Sequence, residues 1–453
     1  MSKKVIIYHA IDTEGPLYES VDAKFDRISE LFKIDIERTE ENLQKLKEKK
    51  IDLGGQEEKV ATVLSGHLTN YNDTWDKIDH MLGRLTTEEV RMHLPDCNGN
   101  GWIFNWHCID HVNFDYNPRR RDIGYHNIHD HYVEYVKKNK NLGDQIQWHF
   151  HPMSTYNDAH RCATSYTNSE HLHQILTRRV IERQWFPSCF RAGFQVERPD
   201  SNHFLEQWIP FDISNMALDD NAELDEVIDF KNGRSGDWRL APSDWSVYNP
   251  SHDHWAIPGN SRRFIGRALN VLNRIAAMDQ PEMDKAFKRA HEGKTTLVGL
   301  ASHDFRNLET EVFHLKELIA EASKKFPDVQ FEYCNGVDAF RKTIWGDELT
   351  QTQDYSELKL DIEFVPATDD DVPGLKISTL NGKVFGPQPY LAIETKSRRF
   401  IHDNLDFGTD LKTWHYAFHS DSLPLEDVRR VGVAANDIYG NTVVKNLDLK
   451  EVL

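Results

Sequence analysis

Residues 5–16 read Val-Ile-Ile-Tyr-His-Ala-Ile-Asp-Thr-Glu-Gly-Pro, an apolar run that ends in two carboxylates and a Gly-Pro turn. The apolar part, 5–11, has the length and composition of a buried strand. Asp12 and Glu14 are two residues apart, so in an extended segment their side chains face the same way. Such a pair can bind a divalent metal or divide into a ligand and a general base. A polar turn that caps a strand has the same composition.

Outward from this stretch, short apolar runs alternate with segments of helical period up to about residue 345. Predicted strands are 5–11, 60–64, 102–106, 146–151, 189–194, 212–217, 296–302 and 329–334. Predicted helices are 37–49, 170–184, 283–292 and 308–325. This alternation is typical of an α/β fold, and a parallel barrel and a doubly wound sheet both fit it.

The pattern changes after Trp345, where short alternating segments are separated by Gly, Pro, Asn and Asp. Segments 358–365, 375–379, 390–395, 414–419 and 431–435 predict the strands of a small β-sandwich. Gly432 weakens the last of these predictions, because an interior glycine disfavours a strand. We therefore predict two domains, residues 1–348 and 349–453.

Composition restricts the partners of the chain. A formal net charge of -19 over 453 residues repels nucleic acid and anionic lipid, so we expect neither as a partner. Apolar runs are too short for a signal peptide or a membrane span. The five cysteines are odd in number and irregularly spaced, as expected of reduced thiols in a cytoplasmic protein.

Histidines are concentrated in the predicted α/β part, with 20 of the 23 before residue 345. His149 and His151 close the strand predicted over 146–151, where alternation places both on one face. Two imidazoles at this spacing suit one metal ion, although a single buried histidine is more often structural.

Two further strand ends carry polar side chains. Arg191 follows the apolar start of 189–194, where its guanidinium could orient a carboxylate base. His303 and Asp304 follow the strand predicted over 296–302, and a histidine there can protonate a leaving amine. In an α/β barrel, such strand ends meet at the catalytic rim.

In this order, the motifs resemble those of the polysaccharide deacetylases, the NodB-homology domain of carbohydrate esterase family 4. The resemblance covers residues 1–345 and is strongest to a variant branch with Asp-x-Glu and His-x-His, which includes deacetylase-like proteins of O-antigen loci. It implies a distorted (β/α)7 barrel and removal of an N-acyl group, with acetyl expected, from a saccharide precursor in surface-polysaccharide biosynthesis. The expected substrate is a sugar nucleotide or a lipid-linked saccharide.

The resemblance also implies roles for individual residues. A divalent metal, with Zn²⁺ expected, would be held by Glu14, His149 and His151. Asp12 would be the base and His303 the acid. The substrate-binding or orienting residues would be Arg191, Trp238 and Asp304.

Several alternatives stay open at this stage. The sequence does not fix which of Asp12 and Glu14 reaches the metal. His107 and His111, at a spacing that suits one helix face, and His126, His129 and His131 form a second set of possible ligands, for which surface or substrate-pocket roles are expected. The fold could also bind saccharide without hydrolysis, or Asp12-Thr13-Glu14 could serve a glycosyltransferase, which would leave the strand-end histidines without a role.

Overall fold

The computed structural model describes residues 3–112, 124–152, 166–167, 169, 171–219, 236–273, 275–346 and 357–451. The first eight strands are β1 Lys4–Thr13, β2 Phe104–Asp110, β3 Gln145–Phe150, β4 Cys189–Ala192, β5 Phe211–Asn215, β6 Phe264–Asn270, β7 Thr296–His303 and β8 Gln330–Tyr333. The helices are α1 Val21–Phe32, α2 Glu40–Lys47, α3 Glu57–Val63, α4 Gly66–Thr69, α5 Trp75–Leu85, α6 Glu88–Arg91, α7 Tyr125–Lys138, α8 His171–Arg183, α9 Pro199–Trp208, α10 Gln280–His291, α11 Leu308–Lys325 and α12 Gly336–Ile344.

Strands β1 to β7 form a closed parallel barrel. Each pairs with the next along the chain, and β7 closes the ring by pairing with β1 over eight residues. One edge of β1 is divided, because β8 pairs with its first half and β2 with its second half. The α/β barrel is thus confirmed and the doubly wound sheet is excluded.

Alternation along β1 explains how the barrel is filled. Ile6, Tyr8 and Ala10 point inward and form an apolar cluster with residues of the other strands and of α12. Val5 and Ile7 point outward and pack under the surrounding helices. The next inward position is Asp12, so along β1 the apolar part of the barrel interior ends at Ala10 and the polar part begins at Asp12.

One predicted strand is a helix in the structure, and one strand of the barrel was not predicted. Segment 60–64 is part of helix α3, because Val60 and Leu64 pack one helical turn apart against α1 and α2. Strand β6 was not predicted, since Gly266 and Arg267 interrupt its apolar pattern. A Cβ at Gly266 would lie 2.8 Å from Ile213 Cδ1, so glycine permits the close packing of the barrel interior there.

The remaining strands form two antiparallel sheets of four. These strands are β9 Lys359–Val365, β10 Gly374–Asn381, β11 Tyr390–Thr395, β12 Phe400–Asp403, β13 Asp406–Phe407, β14 Thr413–Ala417, β15 Val428–Asn436 and β16 Thr442–Asp448. The sheet orders are β13-β14-β10-β9 and β12-β11-β15-β16, and side chains of both sheets share one apolar core. All five strands predicted after residue 350 are present. The predicted boundary at 348/349 falls outside the described residues, so the division there stays a prediction.

The second of these sheets packs on the barrel. Tyr390 and Ala434 belong to the same apolar cluster as residues of α8 and α9. Asn436 Nδ2 donates to the carbonyls of Pro187 and Trp208 at 2.7 and 2.8 Å. At Gly432, a Cβ would lie 2.9 Å from Val180 Cγ1, so the glycine that weakened the strand prediction permits the contact with α8.

The expectations of reduced cysteines and of no membrane-spanning segment can be compared with the described residues. Four cysteines are unpaired, namely Cys97, Cys108, Cys189 and Cys334, whereas Cys162 lies outside the described residues. Among the helices that the structure describes, none combines the length and the apolar character needed to cross a bilayer.

Candidate metal and catalytic site

The predicted strand-end residues meet at one end of the barrel. Strand pairing aligns Asp12 with His303 of β7, and His149 with Arg191 of β4. Because all these strands are parallel and the residues lie at or just after their carboxyl ends, the side chains share the upper layer of the barrel interior. Glu14 and His151 follow directly after their strands.

Glu14, His149 and His151 form a buried cluster that could hold a metal ion. One ligand atom from each lies within 4.8 Å of the others. Glu14 Oε1 is 4.0 Å from His149 Nε2 and 3.9 Å from His151 Nε2. A carboxylate with two imidazoles is a donor set used by catalytic zinc, which leaves a fourth position for water or substrate.

The hydrogen bonds of His149 fix which nitrogen faces this cluster. Its Nδ1 lies 3.0 Å from the carbonyl oxygen of Arg191 and must therefore donate a proton to it. The other ring nitrogen, Nε2, faces the cluster and lies 2.9 Å from His151 Nε2. Two ring nitrogens at this distance need a proton or a cation between them, and an outer hydrogen bond of this kind commonly orients a metal-binding histidine.

Asp12 is paired with Arg191 next to the cluster. Arg191 Nε donates to Asp12 Oδ1 at 2.6 Å, and Nη1 donates to the Ile213 carbonyl. Burial raises the pKa of Asp12, but the charges of Arg191, His149 and His303 outweigh it and lower the pKa to about 2. Asp12 is therefore anionic at neutral pH, and its carboxylate has a fixed orientation.

His303 completes the group on β7, the strand next to that of Asp12. Its Nε2 lies 3.8 Å from Asp12 Oδ2 and 3.9 Å from Glu14 Oε1, and its side chain is 19% exposed. Burial is the main cause that lowers the pKa of His303 well below its usual value, and Asp12 opposes the shift only in part. The ring is therefore neutral at pH 7 and borders the opening of the site.

Asp304 supports the backbone of the first motif. Its carboxylate accepts from the N–H groups of Glu14 and Gly15 at 2.8 and 2.9 Å, and from the Tyr132 hydroxyl at 2.8 Å. Burial raises the pKa of Asp304 to about 7, although these hydrogen bonds oppose the rise. Asp304 thus orients the segment that presents Glu14.

Trp238 lies behind the loop that follows β4. It is buried in the main apolar core, and its Nε1 donates to the Gln195 carbonyl at 2.8 Å. A Cβ at Gly236 would overlap that same carbonyl oxygen, so the chain can approach the loop only with glycine. Trp238 therefore contacts the backbone of the loop, and its N–H is already used.

The second histidine set is divided between two places. His107 and His111 do not share a helix face, although their spacing suggested that they would. His107 lies on β2, and His111 directly follows that strand. His107 is inside the barrel, 2.7 Å from the Tyr8 hydroxyl. His111 is buried and stacks on His151 with ring centroids 4.8 Å apart.

The other three histidines of that set, His126, His129 and His131, belong to α7 on the outside of the barrel. Sequence reasoning missed the contact of His111 with the site because it ended β2 four residues too early. A correct strand end would have placed His111 at the catalytic rim, as it placed His151.

The loop after β4 packs tightly against a proposed ligand. Phe194 and Gln195 adopt φ values of 51° and 53°, which are uncommon for residues other than glycine, and the Phe194 ring contacts His151. A Cβ at Gly193 would lie 2.5 Å from His151 Cδ2 and 2.8 Å from its Cα. Any larger residue at 193 must therefore displace His151 or the loop.

We expect Gly193→Ala to weaken metal binding by about 10- to 100-fold, the cost typical of losing an outer contact that positions a ligand. Titration of the apoprotein with Zn²⁺ measures this. Gly374→Ala is the matched control, because its Cβ would lie equally close, 2.5 Å, to the Tyr416 carbonyl in a sheet remote from the site. Equal zinc affinity in the two variants would show that Gly193 has no role in positioning His151.

Comparison of the chain with protein-family models, curated proteins and solved structures finds no match.

Proposed function

We propose that the chain is a metal-dependent hydrolase that removes an N-acyl group from a sugar nucleotide or lipid-linked saccharide, as its resemblance to polysaccharide deacetylases implies. One observation carries the proposal. Glu14, His149 and His151 converge within 4.8 Å at the rim where the Asp12–Arg191 pair and His303 face them. Metal-assisted hydrolysis of an amide uses this combination of a Lewis-acid site, a base and an acid.

The donor set favours zinc over magnesium or calcium, because imidazole nitrogen suits zinc and the harder ions prefer oxygen. Zn²⁺ bound to Glu14, His149 and His151 would supply Lewis acidity toward an amide carbonyl and an attacking water. We assign Asp12 a place outside this ligand set, because Arg191 binds its Oδ1 atom and the buried metal-type cluster consists of Glu14, His149 and His151. The geometry thus supports Glu14 as the ligand and Asp12 as the base.

Asp12 and His303 together would carry the proton from water to the leaving amine. Asp12, held anionic by Arg191, accepts a proton from water as the oxygen attacks the acyl carbon. His303 is neutral at rest, and its Nε2 lies 3.8 Å from Asp12 Oδ2, a gap that one water can bridge, so it can receive this proton and deliver it to the amine nitrogen. A C–O bond forms, the C–N bond breaks, and the products are a free sugar amine and a carboxylate.

A test of the proposal is the release of free amine from N-acylated sugar nucleotides. Zinc-loaded protein is expected to release amine from at least one of a panel that includes UDP-N-acetylglucosamine and UDP-N-acetylgalactosamine, together with N-acetylated oligosaccharides as surrogates for lipid-linked saccharides. A chelator should abolish release, and added Zn²⁺ should restore it. Saccharide binding without amine release by the metal-loaded protein would instead favour the non-catalytic alternative.

A further inference from the structure

A cavity separate from the candidate metal site lies outside the barrel, between α8, α9 and the chain that follows β12. We call it the second cavity. It encloses about 380 Å³, a size within the range of small-molecule sites. His203 of α9 and Asn404 after β12 line it and are exposed, so the cavity opens to solvent. It shares no residue with the cluster of Glu14, His149 and His151, and the sheets after residue 357 contribute part of its wall.

One wall of the cavity is aromatic. His173 and His402 are stacked with centroids 4.7 Å apart and planes 10° from parallel, and Trp208 meets His402 edge-on at 5.2 Å. Tyr390 stacks on His402 at 4.2 Å. Burial lowers the pKa of both histidines, that of His402 to about 4, so at neutral pH this wall carries no charge.

Trp208 provides a hydrogen-bond donor that the described part of the protein does not use. The residue is only 3% exposed, and its Nε1 has no partner among the described residues. His173 Nδ1 is buried and unpartnered in the same way. Buried polar groups usually have a hydrogen-bond partner, and a ligand in this cavity could supply one.

The remaining lining residues are polar but not basic. Asp200, Gln207 and Asn404 bring a carboxylate and two amides to the cavity. The lining residues that the structure describes include neither Lys nor Arg, which disfavours a phosphate or carboxylate ligand. The cavity thus combines an apolar aromatic wall with groups that hydrogen-bond to hydroxyls.

We propose that this cavity binds one ring of a neutral saccharide. The apolar face of the ring would lie on the wall of His173, Trp208 and His402, a hydroxyl would accept from Trp208 Nε1, and the amides and carboxylate would contact the other hydroxyls. The inference depends only on the residues of this cavity and does not rest on the proposed hydrolysis. It gives the C-terminal sheets a specific role, because they supply His402 and Asn404.

Binding to an immobilised panel of neutral mono- and oligosaccharides tests the proposal. The full chain is expected to bind at least one of them, and His203→Ala/Asn404→Ala should weaken that binding by about tenfold or more, equivalent to about 1.4 kcal/mol. The matched control, Asn70→Ala/His80→Ala, removes an exposed amide and imidazole from a different cavity beside α5 and should bind normally. His149→Ala should also bind normally, which separates this site from the proposed metal site.

A second measurement applies if His203 and Asn404, at the exposed edge of the cavity, contribute little to the affinity for the saccharide. In protein labelled with ¹⁵N-tryptophan, the indole signal that is missing from Trp208→Phe belongs to Trp208, and the bound saccharide should shift it. Absence of binding to every member of the panel would overturn the proposal. So would binding that leaves the Trp208 signal unmoved, or binding that is lost in His149→Ala.

Discussion

Asp12→Asn is expected to reduce acyl release by about 100- to 10,000-fold, the contribution typical of a general base, while metal is retained. The asparagine keeps the shape of the side chain and an oxygen that can accept from Arg191 Nε. It loses the negative charge that accepts the proton. Turnover per folded molecule and metal content, measured on the same preparation, test both parts of the expectation.

A matched control is needed because Asp12→Asn also leaves Arg191 as a buried cation without its partner, and breaking such a pair costs about 3–5 kcal/mol. Asp144 offers the comparison, since it forms an equally buried pair with Arg91, at 2.6 Å, at the opposite end of β3. Asp144→Asn should lose stability but keep turnover per folded molecule. Wild-type turnover in Asp12→Asn would rule out its role as base, and loss of its metal would place it among the ligands.

His149→Ala and His151→Ala are each expected to weaken zinc binding by more than about 100-fold and to abolish acyl release, because removal of a ligand exceeds the 10- to 100-fold cost of removing its outer partners. A ligand that binds only the native state raises its stability. The melting temperature of the wild type should therefore rise with added Zn²⁺, and the melting temperatures of the two variants should not. This readout does not depend on any assumed substrate.

His129→Ala is the control for the loss of a buried imidazole. His129 lies on α7 outside the barrel, where its ring packs on Trp185. The variant should be destabilised, yet its melting temperature should still rise with zinc as that of the wild type does. A full zinc response in either His149→Ala or His151→Ala would remove that residue from the ligand set.

The sequence was sufficient to predict the strand ends that converge in the site. β1, β4 and β7 each contain an apolar run that leads to a polar residue, and β3 alternates toward His149 and His151; in a parallel barrel such ends meet at one rim. Asp12 and Glu14 could not be distinguished in this way, because alternation gives them the same direction. In the folded protein the two carboxylates have different neighbours: Arg191, 179 residues away in the chain, pairs with Asp12, whereas Glu14 lies with His149 and His151.

Other features depend on contacts between distant segments, which no local pattern reveals. β2 extends to Asp110 through Asn105 and His107, polar side chains that the closed barrel buries. β6 includes Arg267, whose charge is paired with Glu282 of α10 at 2.6 Å. The aromatic wall of the second cavity combines α8 and α9 with β12, a strand that was not predicted.

Anomalous X-ray diffraction at the zinc edge, from crystals grown with Zn²⁺, would locate the metal and identify its ligands. We expect a peak bonded to a Glu14 carboxylate oxygen and to Nε2 of both His149 and His151, at about 2.0–2.2 Å. Asp12 should remain on Arg191, outside the bonded set. A zinc peak at other residues, or no zinc between these three side chains, would show that Glu14, His149 and His151 are not the metal ligands.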